Sequence, residues 1–222
     1  MMDSKTLMCN EPRSIRLGGS ISTIIVMDST IRPVALFTIA YLLIATPFAF
    51  LQNNTEFLFY IGVVILLSGV VFVLHQKVRL SRGVLWALSI WGLLHMFGGL
   101  IRVPAGWLTD NNSGVLYSLW LIPGWLKYDQ PTHAYGFGVA TQVCFECLRR
   151  IKGIRPTVGI LALSALAGMG LGALNEIIEF TATLMIPGTN VGGYVNTGWD
   201  LVANMFGAFI AVLLIRFAWN KR

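Results

Sequence analysis

Six long apolar segments alternate with shorter polar stretches along the chain. About 20 consecutive apolar residues suffice to cross the hydrocarbon core of a bilayer as an α-helix. Pro131 and Pro156 stand directly before two of the segments, where proline is well tolerated at a helix start. The pattern predicts an all-α membrane protein in which residues 31–222 form one domain of six transmembrane helices and residues 1–30 a cytosolic tail. The predicted spans are 34–51, 57–74, 84–101, 132–148, 157–180 and 199–219.

Composition agrees with this pattern. The chain is 55% hydrophobic and 12% charged, with a mean hydropathy of +0.70, whereas soluble domains carry about 25% charged residues. The expected partner is therefore the lipid bilayer, most simply that of the cell membrane. The formal net charge of +6 does not indicate nucleic acid, because the basic residues lie between apolar segments, where membrane topology accounts for them.

The distribution of Lys and Arg predicts the orientation of the helices. Fourteen of the sixteen basic residues fall in the N-terminal tail, after the second and fourth spans, and at the C-terminus. The alternate loops hold only Arg102 and Lys127. Because cytoplasmic loops are enriched in Lys and Arg, both termini are expected inside. The long loop 102–131 is then outside, and its apolar stretch 114–125 is too short to span, so it is expected to lie on the surface or dip in and cover a site.

This topology brings a group of polar residues to the outer half of the membrane. Glu176 and Glu179 share one helix face with Gly168 and Gly172, and Asp200 shares another with Asn204 and Gly207. Small residues at such spacing let helices approach closely in lipid, so these two stripes are expected to pack together. The predicted group comprises His95, Arg102, Asp129, His133, Asn175, Glu176, Glu179, Asp200 and Asn204.

These residue types suit acid–base or metal chemistry. Glu176, Glu179, Asp200 and His133 are the candidate catalytic residues, because paired carboxylates beside a histidine can transfer protons. Carboxylates and imidazoles also hold divalent metals that activate water. The candidate metal ligands are Asp129, His133, Glu176 and Asp200. The candidate substrate-binding residues are Arg102, Asn175, Asn204 and His95, with Arg102 suited to clamp a phosphate or carboxylate.

Glu146 lies apart from this group, near the inner end of the fourth span. Arg149 and Arg150 follow it at three and four residues, the spacing at which helix side chains meet. The sequence therefore predicts an interfacial ion pair there.

Three motifs occur in order along the chain: Asp129-x-x-x-His133, Asn175-Glu176-x-x-Glu179 and Asp200-x-x-x-Asn204-x-x-Gly207. Together they resemble the VanZ-like superfamily of small membrane proteins, and in style most closely its YjdF-type branch. Asn175 and Glu179 differ from the Asp-Glu-x-x-Gln usual in the VanZ group, and the loop 181–198 lacks its Arg. The resemblance implies an integral membrane protein acting near the cell envelope, without a defined reaction.

Three functions remain compatible with the sequence. One is a membrane-embedded enzyme acting on a lipid-linked or amphiphilic substrate at the outer leaflet. Another is a carrier for a small solute or protons, for which intramembrane carboxylates and histidines are equally suited. The third is a structural or accessory protein whose polar cluster joins helices.

Overall fold

The fold was analysed in a computed structural model that describes residues 28–110 and 113–221. The predicted tail, 1–30, therefore lies outside the described residues except for its last three. Within the described part the chain is mostly helical, as predicted. Its long helices are α1 (Ile31–Leu51), α2 (Thr55–Val78), α3 (Arg82–Leu100), α4 (Asp129–Lys152), α5 (Val158–Met185) and α6 (Tyr194–Asn220).

Five of these six helices, all except α4, are long and apolar enough to cross a membrane. Helix α4 has 24 residues, as many as α2, but it is the most polar of the group. It packs against α3, α5 and α6, most extensively against α6. Its buried face carries Gln130, His133, Thr141 and Glu146. Because α4 faces protein on several sides, its polar residues have partners that lipid would not provide.

Apolar side chains are exposed along the other helices. Leu43 and Ile44 of α1, Leu66 of α2 and Phe209 of α6 are each more than half exposed. A water-soluble protein rarely leaves contiguous apolar surfaces of this extent uncovered. These surfaces are where hydrocarbon would lie in a bilayer.

The helix ends differ from the predicted spans by four residues at most, except in α5 and α6. Helix α5 continues to Met185, beyond the predicted end at 180, and α6 begins at Tyr194 instead of 199. The first turn of α6 contains polar and glycine residues that the hydropathy pattern assigns to a loop. The earlier start places Asn196 on the helix, one turn before Asp200.

The small-residue stripes of α5 and α6 contact α4 more than they contact each other, which corrects the predicted packing. A Cβ atom at Gly207 of α6 would collide with the Ala134 carbonyl oxygen of α4, and one at Gly168 of α5 with the Thr141 side chain. Gly172 retains the predicted contact, since it faces the Asn204 side chain of α6. Helices α5 and α6 therefore both pack against α4.

The connection between α3 and α4 folds back over the ends of the helices. It contains a 3-10 turn, Leu116–Ser118, and a short antiparallel hairpin of β1 (Trp120–Ile122) and β2 (Leu126–Lys127). Two isolated bridges, Arg102 to Val115 and Thr109 to Leu119, tie the connection together. The apolar stretch 114–125 thus forms a covering layer rather than a further helix.

Glu146 differs from its prediction. Its Oε2 accepts a hydrogen bond of 2.7 Å from the backbone N–H of Ser81, at the start of α3. The carboxylate thereby satisfies an N–H group at the helix start that has no partner within the helix. Its negative charge also interacts favourably with the positive end of the helix dipole. Within the described residues this contact replaces the expected ion pair with Arg149 and Arg150.

Candidate functional site

His133, on the second turn of α4, lies at the centre of a buried group of polar side chains. Its Nε2 is 3.5 Å from Asp129 Oδ1 and 3.8 Å from Glu179 Oε1. On the other side of the ring, Nδ1 is 3.5 Å from Glu176 Oε1 and 3.2 Å from Asn204 Oδ1. The imidazole therefore contacts side chains from α4, α5 and α6. We call His133, Asp129, Glu176, Glu179 and Asp200 the His133 cluster.

Helix geometry explains why these side chains meet. Asp129 and His133 are four residues apart on α4, and Glu176 and Glu179 three apart on α5, so each pair shares a face. Close contacts at the glycines of α5 and α6 bring those faces against α4. Asn175 then fixes one member of the group, since its Nδ2 donates to Glu179 Oε1 at 2.7 Å.

Asp200 completes the cluster from α6 and is fully buried. Its Oδ2 accepts a hydrogen bond of 2.5 Å from Asn196 Nδ2, which also reaches Asp129 Oδ2 at 3.3 Å. Asn196 Oδ1 in turn accepts from Lys127 Nζ, and Lys127 lies 3.3 Å from Asp110 Oδ2. Asn196 and Lys127 are therefore site residues that sequence reasoning missed. The i, i+4 spacing of Asn196 and Asp200 is the signal that could have found the first of them.

The cluster has the donor set and spacing of a metal site. Two groups, Asp129–His133–Asp200 and His133–Glu176–Glu179, each offer three ligand atoms within 4.8 Å of one another. Protein–metal bonds are about 2.0–2.2 Å for nitrogen and oxygen, so small side-chain movements would close either group around an ion. Both oxygens of Glu176 and Oδ1 of Asp200 are buried without a hydrogen-bond partner among residues 28–110 and 113–221. Buried oxygens of this kind normally have a partner, and a divalent cation fits them.

A cavity of about 270 Å³ lies beside the cluster. Asp129 and Glu179 form part of its wall, and the α3–α4 connection covers it through Tyr117 and Lys127. The loop between α5 and α6 closes another side, where Glu56 Oε2 accepts from the backbone and the side-chain nitrogens of Asn190 at 2.8 and 3.0 Å. The cavity therefore joins the cluster to two connecting segments.

His95 and Arg102, both predicted to bind substrate, occupy different environments. His95 lines the cavity, and its Nδ1 is hydrogen-bonded to the Tyr117 hydroxyl. Burial, reinforced by Asp129 and Glu179, raises the pKa of the Tyr117 phenol well above its ordinary value, so that its hydroxyl is neutral. Arg102 is exposed, is not part of the cavity wall, and donates from one guanidinium nitrogen to the Ser113 carbonyl at 3.2 Å.

A comparison with known protein families identifies the family of this chain. A family model described as "Predicted membrane protein (DUF2238)" matches residues 32–221, from the first turn of α1 to the end of α6. The chain belongs to this family. No curated protein and no solved structure matches it.

In this member of the DUF2238 family, the matched region contains every residue of the His133 cluster and of the cavity wall. The cluster presents four carboxylates to one imidazole, which can exchange protons with each of its neighbours. Two of those carboxylates, Asp129 and Glu179, also face the cavity. A molecule in the cavity would thus meet groups that accept or donate protons and, behind them, groups able to bind a cation.

Proposed function

We propose that the protein is a membrane-embedded enzyme that acts on an amphiphilic or lipid-linked substrate at the outer leaflet of the cell membrane. In this proposal α4 also crosses the membrane, in addition to the five more apolar helices. Both termini are then cytosolic, as the distribution of basic residues predicts. The similarity of three motifs to the VanZ-like superfamily is consistent with a role near the cell envelope.

The observation that carries the proposal is the position of His133 between carboxylates from two helices, at 3.5 to 3.8 Å. Burial of ionisable groups in a membrane is costly, and such groups are usually functional. Among the described residues neither buried oxygen of Glu176 has a hydrogen-bond partner, although Oε1 contacts His133 Nδ1 at 3.5 Å. A carboxylate that only joined helices would normally be hydrogen-bonded.

The residues divide into two roles. Asp129 and Glu179 border the cavity and are placed to take a proton from a substrate or from water. Glu176 and Asp200 lie behind them and, together with His133, fit a divalent metal. When bound there, such an ion would polarise a phosphoryl or carbonyl oxygen and acidify water. Asn204 and Asn175 orient the ring of His133 and the Glu179 carboxylate.

Metal binding to the purified protein tests this proposal. Titration calorimetry with Zn²⁺ and Mn²⁺ should detect a site in the wild type that weakens about 100-fold or more in His133→Ala. The matched control is His75→Ala, because His75 is also a buried histidine and pairs with Asp28 outside the cluster. Equal metal affinity in wild type and His133→Ala would exclude a metal at the cluster.

Activity is then sought by following phosphate release from lipid-linked phosphoesters in mixed micelles. Glu179→Gln should lower the turnover about 100-fold or more if Glu179 is the acid–base group, while metal binding persists through the other ligands.

A carrier is the second candidate, favoured by the continuity of ionisable groups from Asp129 through His133 to Glu176. Such chains of carboxylates and histidines relay protons in transporters. Proteoliposomes with an internal pH dye distinguish the two functions. Proton flux that is lost in His133→Ala, without any hydrolysis, would establish the carrier and contradict the enzyme.

A further inference from the structure

The wall of the cavity carries more acidic than basic groups. Four carboxyl groups line it, from Glu56, Asp110, Asp129 and Glu179, and among the described residues they face one ammonium group, that of Lys127. Lys127 is already engaged with Asp110 and Asn196. A cavity enclosed by one sign of charge attracts ligands of the opposite sign. Its ligand should therefore be a cation.

A second, independent feature points into the same cavity. Tyr60 of α2 is only 5% exposed and lines the cavity, yet its hydroxyl has no hydrogen-bond partner in the part of the chain that the structure describes. The ring is held by edge-to-face contacts with Phe57, Phe59 and His95, which fix the position of the hydroxyl. An unpaired buried hydroxyl costs about 1–3 kcal/mol, and it can accept two hydrogen bonds. A ligand with N–H donors would satisfy it.

Glu56 offers a further acceptor. Both of its hydrogen bonds with Asn190 go to Oε2, so Asn190 leaves Oε1 available to a ligand. The side chain is 6% exposed, so an ion pair with it would be screened little by solvent salt. Tyr60 and Glu56, four residues apart on α2, thus offer acceptors in the same cavity wall as Glu179 and Asp129.

The remaining wall favours an organic cation over a bare metal ion. Phe57, Tyr60 and Tyr117 contribute aromatic rings, which attract ammonium groups through their π faces. The volume of about 270 Å³ is below the range of about 300–1,000 Å³ typical of pockets for drug-sized ligands. It fits a small amine or one lipid head group.

We propose that this cavity binds a primary ammonium group between Glu56, Glu179 and the Tyr60 hydroxyl. The ammonium belongs to a free small amine or to the head group of an aminophospholipid. This inference rests on the proposed function only in taking the cavity as the substrate's entry to the His133 cluster. It names the substrate class as amine-bearing, and the binding itself requires no metal.

Ethanolamine is the probe, with propan-1-ol as its neutral analogue and choline as a cation without N–H donors. Binding is measured by titration calorimetry on chelator-treated protein in phosphatidylglycerol nanodiscs. Ethanolamine should bind and propan-1-ol should not. Choline should bind at least about tenfold more weakly than ethanolamine, because it has no N–H group to donate to Tyr60. Absence of ethanolamine binding, or equal binding of either analogue, would overturn the proposal.

Two pairs of variants assign the site. Tyr60→Phe removes only the hydroxyl and should lower the affinity for ethanolamine about tenfold. Its control is Tyr41→Phe, a buried tyrosine of α1 beside Thr38 and Ser89, where affinity should not change. Glu56→Gln keeps an acceptor for Asn190 but removes the charge, and should weaken binding about tenfold or more.

The control for Glu56→Gln is Glu146→Gln. Glu146 is 7% exposed and likewise accepts a backbone N–H, but it is not part of the cavity wall. Equal affinities in the members of each pair would place the ammonium elsewhere and contradict the proposal. If Glu56→Gln does not fold, Tyr60→Phe still decides, since it leaves the ring contacts in place.

Varying the lipid composition distinguishes a free amine from a lipid head group as the source of the ammonium. If the lipid head group enters the cavity, adding phosphatidylethanolamine to the nanodiscs should lower the apparent affinity for soluble ethanolamine by competition. If only free amines enter, that affinity should stay unchanged. Failure of metal binding at His133 with intact ethanolamine binding would reject the enzyme proposal alone. The converse result would reject only the ammonium site.

Discussion

The Asn196 side chain donates a hydrogen bond of 2.5 Å to the carboxylate of Asp200, one turn further along α6. The same amide nitrogen reaches Asp129 on α4, and the amide oxygen accepts from Lys127 on the α3–α4 connection. One asparagine thereby joins a fully buried carboxylate, a second helix and the segment that covers the cavity.

Replacing Asn196 with Ala should destabilise the protein. Among the described residues Asp200 Oδ1 already has no hydrogen-bond partner, so the variant would leave both oxygens of a buried carboxylate without one, at a cost of about 1–3 kcal/mol. The thermal unfolding midpoint in detergent measures the loss. Asn220→Ala is the control, because Asn220 is an exposed residue in the last turn of the same helix. Equal midpoints in the two variants would show that Asn196 does not support Asp200.

Glu176→Gln should separate stability from function. Within the described residues both Glu176 oxygens are buried without a hydrogen-bond partner, beside three further carboxylates of the cluster. Removing its charge relieves like-charge repulsion and desolvation, and should raise the unfolding free energy of the metal-free protein by about 1 kcal/mol or more. The same variant should reduce the stabilisation that added metal gives the wild type. Glu146→Gln serves as the control, with no expected change in response to metal. A destabilised metal-free Glu176→Gln would indicate a structural carboxylate instead.

The convergence of Asp129, His133, Glu176 and Glu179 could be predicted from the sequence, because topology fixes the end of each helix and helical phase fixes the face. The partners of these residues could not. Asn196 lies in a glycine-containing, weakly apolar turn, and only the observed start of α6 makes it helical. Lys127 and Glu56 reach the site through long-range packing of the α3–α4 connection and of α2, for which local spacing gives no signal.

The packing of glycines shows a similar limit. Hydropathy and small-residue spacing predict close helix contact at Gly168 and Gly207, but periodicity names no partner helix. Both face α4, since α4 supplies the polar groups that α5 and α6 must pair. The polar nature of α4 could be read from its sequence, whereas its central position depends on the whole arrangement.

Gly207→Ala should be strongly destabilising. A Cβ there collides with the Ala134 carbonyl, which is backbone and cannot rotate away. Separating α4 from α6 to make room should cost about 1–3 kcal/mol or more. Gly170→Ala on α5 is the matched control, because no described residue lies within 4 Å of a Cβ added there; alanine at this position should stabilise by about 0.5–1 kcal/mol. Thermal unfolding of both variants checks this, and tolerance of Gly207→Ala would mean that α4 and α6 are further apart.

Asn190→Ala should loosen the loop between α5 and α6. The substitution removes the 3.0 Å side-chain bond to Glu56 and keeps the backbone bond, a loss of about 1.5–3 kcal/mol for a bond to a charged acceptor. Amide hydrogen exchange in residues 186–193 should accelerate about tenfold or more. Thr183→Ala is the control, since the Thr183 hydroxyl donates within its own helix, to the Phe180 carbonyl. Unchanged exchange in Asn190→Ala would mean that the backbone bond alone holds the loop.

Asp28 should make stability depend on pH in the acid range. Its pKa is lowered from 3.8 to about 2, first by the backbone N–H of Ile31 and, against an opposing effect of burial, by His75 and the N–H of Thr30. Because the folded pKa lies below the unfolded one, the stabilising contribution is present above about pH 4 and is lost as pH falls towards 2. The unfolding midpoint of the wild type should therefore decline between pH 4 and 2 more steeply than that of Asp28→Asn. The two proteins should converge at the lower limit, whereas parallel pH profiles would show that Asp28 is not charged more readily in the folded state.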